Sequence, residues 1–104
     1  MWTANPRYLL ELERLWIKKF EPDWPDDYLD AVQVVDCIVD NAHTIRSATL
    51  TVGSVTLAAS QLSNDKDGAL IDVILYETST GDFGELEFNR VDTRPLMAIP
   101  EPDL

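Results

Sequence analysis

Cysteine and histidine occur once each in the 104 residues, as Cys37 and His43. One cysteine excludes an internal disulfide, and one of each falls short of the usual ligand set of a zinc site. A lone thiol also fits a reducing compartment. Basic residues are scarce: eight Lys and Arg face nineteen Asp and Glu, for a formal charge of −11. Such a surface repels a phosphate backbone, so direct nucleic-acid binding is not expected. There are only four glycines, and neither a P-loop nor a GxGxxG spacing occurs. No run approaches the ~18–20 apolar residues of a membrane-spanning helix. The first residues, MWTANPRYLLELERL, offer no basic segment and no apolar core of the signal-peptide kind. These absences lead to the expectation of a cytoplasmic protein without membrane contact, folded as one domain over residues 1–104.

Hydrophobic residues make up 45% of the chain, enough for a core. Asn5-Pro6 has the form of a helix start, with Asn as N-cap and Pro in the first turn. Leu9, Leu12, Trp16 and Phe20 then recur at helical spacing, and Lys18 and Lys19 suit a C-terminal turn. The pattern predicts a helix over about 6–20, with Glu11, Glu13 and Arg14 off the apolar stripe and Glu11 paired with Arg14. Pro25-Asp26-Asp27 predicts a short second helix over about 25–32, burying Tyr28, Leu29 and Val32.

The remainder reads as strands near 33–39, 44–52, 54–62, 69–77 and 83–91. Asp40-Asn41, Val52-Gly53-Ser54, Asp65-Lys66-Asp67-Gly68 and Ser79-Thr80-Gly81-Asp82 supply the turns. Leu70 to Tyr76 is apolar on both faces except at Asp72, as in an internal strand. Glu85, Glu87 and Asn89 alternate with Leu86 and Phe88, as in a sheet buried on one side. The expected fold class is α+β: two helices packed on a mostly antiparallel, four- to five-stranded meander. Pro95 ends the last strand, and residues 97–104 are expected to be a loose tail.

Catalytic chemistry finds little support. His43 follows a turn signal and reads as a surface turn residue. Cys37 sits among Val34, Val35, Ile38 and Val39, as a buried inert thiol would. Asp65-Lys66-Asp67-Gly68 is shaped like the start of a calcium loop, but its fifth position is Ala69 and its twelfth is Tyr76. No catalytic, cofactor-binding or metal residue is assigned, and no enzyme activity is expected.

The charge is unevenly spread. From Phe20 to Ile45 there are seven acids and no Lys or Arg, and a second acidic stretch runs from Glu77 to Asp92. Asp23, Trp24, Asp26, Asp27, Tyr28 and Asp30 form an acidic block with aromatics inside it. Glu85 and Glu87 share one face of a strand. These eight residues are the candidate partner-binding set, acids steering a basic protein and aromatics anchoring it.

One segment carries a resemblance. Residues 81–96, with Glu85-Leu86, Val91-Asp92 and Pro95-Leu96, resemble the closing strand of a family of small uncharacterised bacterial proteins of the immunity-protein-like type. Phe83 and Asn89 depart from that pattern. The resemblance implies an inhibitor encoded beside a toxin, and it brings no catalytic residues. Four readings stay open. One is an immunity-type inhibitor that neutralises a basic toxin or nuclease. The others are a nucleic-acid mimic blocking a DNA-binding defence complex, a small enzyme acting on a cationic molecule, and a subunit that dimerises through a strand edge.

Overall fold

Strict alternation along the later strands sets the architecture. In the computed structural model, which describes residues 2–37, 43–50 and 54–103, eight elements build one α+β layer pair. They are β1 (Arg7–Tyr8), α1 (Glu11–Phe20), α2 (Asp26–Ala31), β2 (Gln33–Asp36), β3 (His43–Ser47), β4 (Thr56–Asn64), β5 (Leu70–Glu77) and β6 (Phe83–Arg90). The six strands form a single antiparallel sheet in the order β1-β2-β3-β6-β5-β4. Of the expected turn and strand residues, Ile38 to Ala42 and Thr51 to Gly53 lie outside the described residues.

Side chains two apart share a face, so the register sorts the sheet into two sides. Val34, Ile45, Ile71, Val73, Leu75, Leu86 and Phe88 point towards the helices and are buried with Trp16, Ile17 and Leu29. The opposite side presents Arg46, Asp72, Ile74, Tyr76, Glu85, Glu87 and Asn89. There, the Arg46 guanidinium lies 4.9 Å from the Trp2 ring centroid. β5 is paired on both sides, as its apolar run predicts.

Three expectations need correction. The first concerns the meander: β3 pairs with β6 rather than β4, so the chain crosses to the far edge after β3 and returns through β5. The sheet accordingly has six strands, not four or five. The second is the start of α1, which begins at Glu11, not at Asn5-Pro6, because Arg7 and Tyr8 pair with Val34 and Gln33 as a strand. Local capping chemistry at Asn5 loses to the partners that Arg7 reaches from the sheet. Glu13 instead turns back to accept the Leu10 N–H at 2.9 Å and so closes the first turn.

The third correction is the tail, which is tied down. Leu96 and Ile99 pack on the core, Pro102 is buried, and the Trp16 indole N–H donates to the Pro100 carbonyl at 2.7 Å. Lys19 Nζ donates to the carbonyl of Asp103. Asp65 holds the segment from the other side, accepting the N–H groups of Met97 (2.8 Å) and Ala98 (3.2 Å). Its carboxylate is buried and also receives Arg90 at 3.0 Å. The first residue of the expected Asp65-Lys66-Asp67-Gly68 turn is thus a buried receptor for the tail. Burial alone would push the Asp65 carboxyl up, but these donors and the Lys66 N–H hold it below its ordinary range.

The β5–β6 hairpin contains a bulge at Tyr76/Glu77, opposite Gly84. A Cβ at Gly84 would meet Val55 Cγ1 at 2.6 Å and the Tyr76 carbonyl at 3.0 Å. Glycine is required there by close approach.

Candidate protein-binding surface

The acidic block folds as α2 and the turn before it. Asp26 and Asp27 stand in the first turn of α2, where carboxylates complement the helix dipole. Leu29 is buried beneath, and Asp23, Asp26, Asp27 and Asp30 remain exposed. Two cations from α1 reach across to them. Arg14 donates to Asp30 at 2.5 Å and lies 3.5 Å from Asp26, and Lys18 lies 3.3 Å from Asp26. The expected pairing of Arg14 with Glu11 gives way to these stronger partners on α2. Lys18 and Arg14 hold the Asp26 carboxyl below its usual range. Asp23 and Asp27 have no cationic partner among the described residues.

Trp24 and Tyr28 stack edge-on at 5.3 Å between centroids and pack partly buried against the core. The Tyr28 hydroxyl accepts the Phe83 N–H at 2.9 Å, which fixes α2 to the sheet. The aromatic ring most open to solvent on this side is Tyr8, 61% exposed, on the edge strand β1. Tyr8, Asp27, Asp30 and Ala31 line a shallow groove of about 390 Å³, with exposed Leu10 nearby in the chain. Tyr8 thus shares a groove with two exposed carboxylates, of which Asp30 already holds Arg14 and Asp27 is open to a Lys or Arg side chain.

Glu85 and Glu87 do not join this surface. They lie on the side of the sheet away from the helices, and Glu85 accepts from Arg46 Nε at 2.7 Å. Asp23, Trp24, Asp26, Asp27, Tyr28 and Asp30 are brought together on α2 and its leading turn. Sequence reasoning missed Tyr8 because it assigned that residue to a helix.

A second charged cluster lies between α1 and strands β1, β2 and β3. Glu13, expected off the apolar stripe of α1, is wholly buried and accepts an N–H from each terminal nitrogen of the Arg7 guanidinium at 2.9 Å. Arg7 also donates to both Asp36 oxygens, at 2.7 and 3.0 Å. His43, expected in a surface turn, sits in β3 with Nε2 2.5 Å from Glu13 Oε2 and its ring edge-on to Phe88. Burial pushes the Glu13 carboxyl up, but the hydrogen bonds from His43, Arg7 and the Leu10 N–H outweigh it and hold it at about 2. An ionised carboxylate only accepts, so His43 carries its proton on Nε2.

Glu13, Asp36 and His43 offer three ligand atoms within 4.8 Å of one another. The Arg7 guanidinium already lies against both carboxylates and supplies the positive charge that a metal would bring. His43 is therefore a buried-side partner of a carboxylate. Cys37, half-buried rather than buried, belongs by strand alternation to the opposite side of the sheet. The cluster clasps α1 to three strands.

A cleft of about 490 Å³ opens between α2, β3 and the β5–β6 turn, lined by Tyr28, Ser47, Thr49, Thr78, Thr80 and Asp82 among others. Its hydroxyls are engaged locally: Ser47 with Thr49 at 3.1 Å, Thr78 with Thr80 at 3.0 Å, and Thr80 donating to Asp82 at 2.8 Å. These contacts organise turns.

No family model, curated protein or solved structure matches the chain. Among the described residues, no helix is long and apolar enough to cross a membrane.

Proposed function

We propose that the protein is an acidic protein-binding module that docks a basic protein on α2 and the neighbouring edge strand. Its most specific form is an immunity-type inhibitor that neutralises a basic toxin or nuclease in the cytoplasm. The observation that carries this reading is the groove between Tyr8, Asp27 and Asp30. It sets exposed carboxylates beside an exposed aromatic ring, and Asp27 has no cation of its own among the described residues. The overall charge of −11 would speed encounter with a basic partner. The resemblance of residues 81–96 to immunity-type proteins points the same way.

The test is capture of a partner from host lysate, followed by titration of the identified protein against the parent and Asp27→Asn/Asp30→Asn. A basic partner should bind more weakly as salt rises, and the double variant should lose about 10-fold or more in affinity. Unchanged affinity would place the interface elsewhere. Competition by DNA for the same partner would turn the reading to nucleic-acid mimicry.

A further inference from the structure

Residues 47–64 contain no Asp, Glu, Lys, Arg or His. At the chain's 26% charged content, about five charges would be expected in eighteen positions. This uncharged stretch ends in β4, which among the described residues pairs only with β5 and forms one edge of the sheet. Natural edge strands are commonly protected by Lys, Pro, bulges or a covering segment. β4 has neither Lys nor Pro, its bulge, between Leu57 and Ala59, protects one end only, and residues 98–103 share a groove with its other end, at Leu62 to Asn64. Residues 59–64 continue in regular register with β5. Leu57 and Leu62 are 62% and 59% exposed, and Leu70, across from Asn64, is 48% exposed. All three project from the side of the sheet away from the helices.

We propose that the protein self-associates as a two-fold dimer in which β4 pairs antiparallel with β4 of a second copy, extending the sheet across the axis. Charge selects the occupant. A basic partner gains nothing from a strand without carboxylates, whereas a second copy brings the same uncharged edge and the same exposed leucines. Antiparallel pairing of identical strands is also the self-complementary arrangement that two-fold symmetry requires. One strand and a few leucines per copy make a contact at the small end of specific interfaces, so the dimer is expected at micromolar to millimolar protein.

This inference is independent of the α2 surface, and salt separates the two. Two copies at −11 repel, so screening should strengthen the dimer, whereas it should weaken docking of a basic partner. Sedimentation equilibrium from micromolar to millimolar protein, at about 0.05 and about 0.5 M NaCl, reads the mass directly. The expected result is a shift from the 11.7 kDa monomer towards twice that mass, more complete at high salt. Leu62→Glu and, separately, Ser60→Glu bring one like charge from each copy into the paired strands and should weaken the dimer about 10-fold or more. Both positions are exposed on β4, and circular dichroism checks that the fold persists. Asp27→Asn/Asp30→Asn should leave the dimer intact. A monomer throughout the range overturns the inference. So does a dimer that both folded β4 variants retain, or one that the α2 variant abolishes.

Discussion

Replacing Glu13 by Gln keeps the shape of the side chain and removes its charge. In the parent, that carboxylate accepts two hydrogen bonds from Arg7, one from His43 and one from the Leu10 N–H, with no exposure to water. Glutamine has one acceptor oxygen, and its NH₂ must face either the guanidinium or the His43 N–H, where only an acceptor fits. Breaking one side of a buried ion pair costs about 3–5 kcal/mol. Arg7 keeps Asp36 and is partly exposed, so the lower end, about 3 kcal/mol, is the expected loss. In a chain of this size that lowers Tm by roughly 12–24 °C. Thermal and urea unfolding followed by circular dichroism would measure it.

The same reasoning fixes the pH dependence. Glu13 titrates at about 2 in the folded protein, against an ordinary 4.5, so its contribution is complete above the ordinary value and is lost as pH falls towards 2. The parent and Glu13→Gln should therefore converge in stability over that interval. A Tm within about 2 °C of the parent at neutral pH would refute the view that a buried anion clasps α1 to the sheet.

Two further substitutions probe separate parts of the fold. Burial, and then a carboxyl–carboxyl hydrogen bond and charge repulsion with the neighbouring Glu21, raise the Glu77 carboxyl above its usual range, and among the described residues Glu77 Oε2 finds no donor. The folded state therefore favours protonated Glu77, so ionisation opposes folding at neutral pH and protonation relieves that penalty as pH falls. Glu77→Gln should raise stability at pH 7 by less than ~1 kcal/mol after solvent screening, with the gain fading in acid; thermal melts at several pH values check both signs. Gly84→Ala forces Val55 and the hairpin backbone apart and should cost about 1–3 kcal/mol in urea titrations.

The strand face of the fold was legible because alternation is local: Leu86 and Phe88 against Glu85 and Glu87 need no knowledge of neighbours. The short α2 was readable from Pro25 and its two following acids for the same reason. Strand order was not, because pairing of β3 with β6 depends on segments some forty residues apart. The charged clusters were hidden differently. Nothing in the spacing of Arg7, Glu13, Asp36 and His43 marks them as one group, since four separate elements bring them together. Glu13 sits just off the apolar stripe of α1 and is buried only because Arg7 and His43 meet it. Asp65 looked like an ordinary turn residue because its partners, Arg90 and the Met97 and Ala98 amides, lie 25 to 33 positions away. The acidic block on α2 was visible directly, being contiguous, whereas its grouping with Tyr8 required the β1 pairing.

The position of β6 has a consequence for how the chain reaches this state. β6 joins the β1-β2-β3 half of the sheet to the β4–β5 hairpin, and it follows every other strand in sequence. During synthesis the two parts can each begin to order, but they share no strand contact until residues 83–90 leave the ribosome. A nascent chain arrested before that point would expose the inner rows of both parts, Ile45 on one side and Val73 and Leu75 on the other. Assembly of the sheet thus waits for β6, and a chaperone or a second nascent chain has its widest opportunity in the interval before β6 arrives.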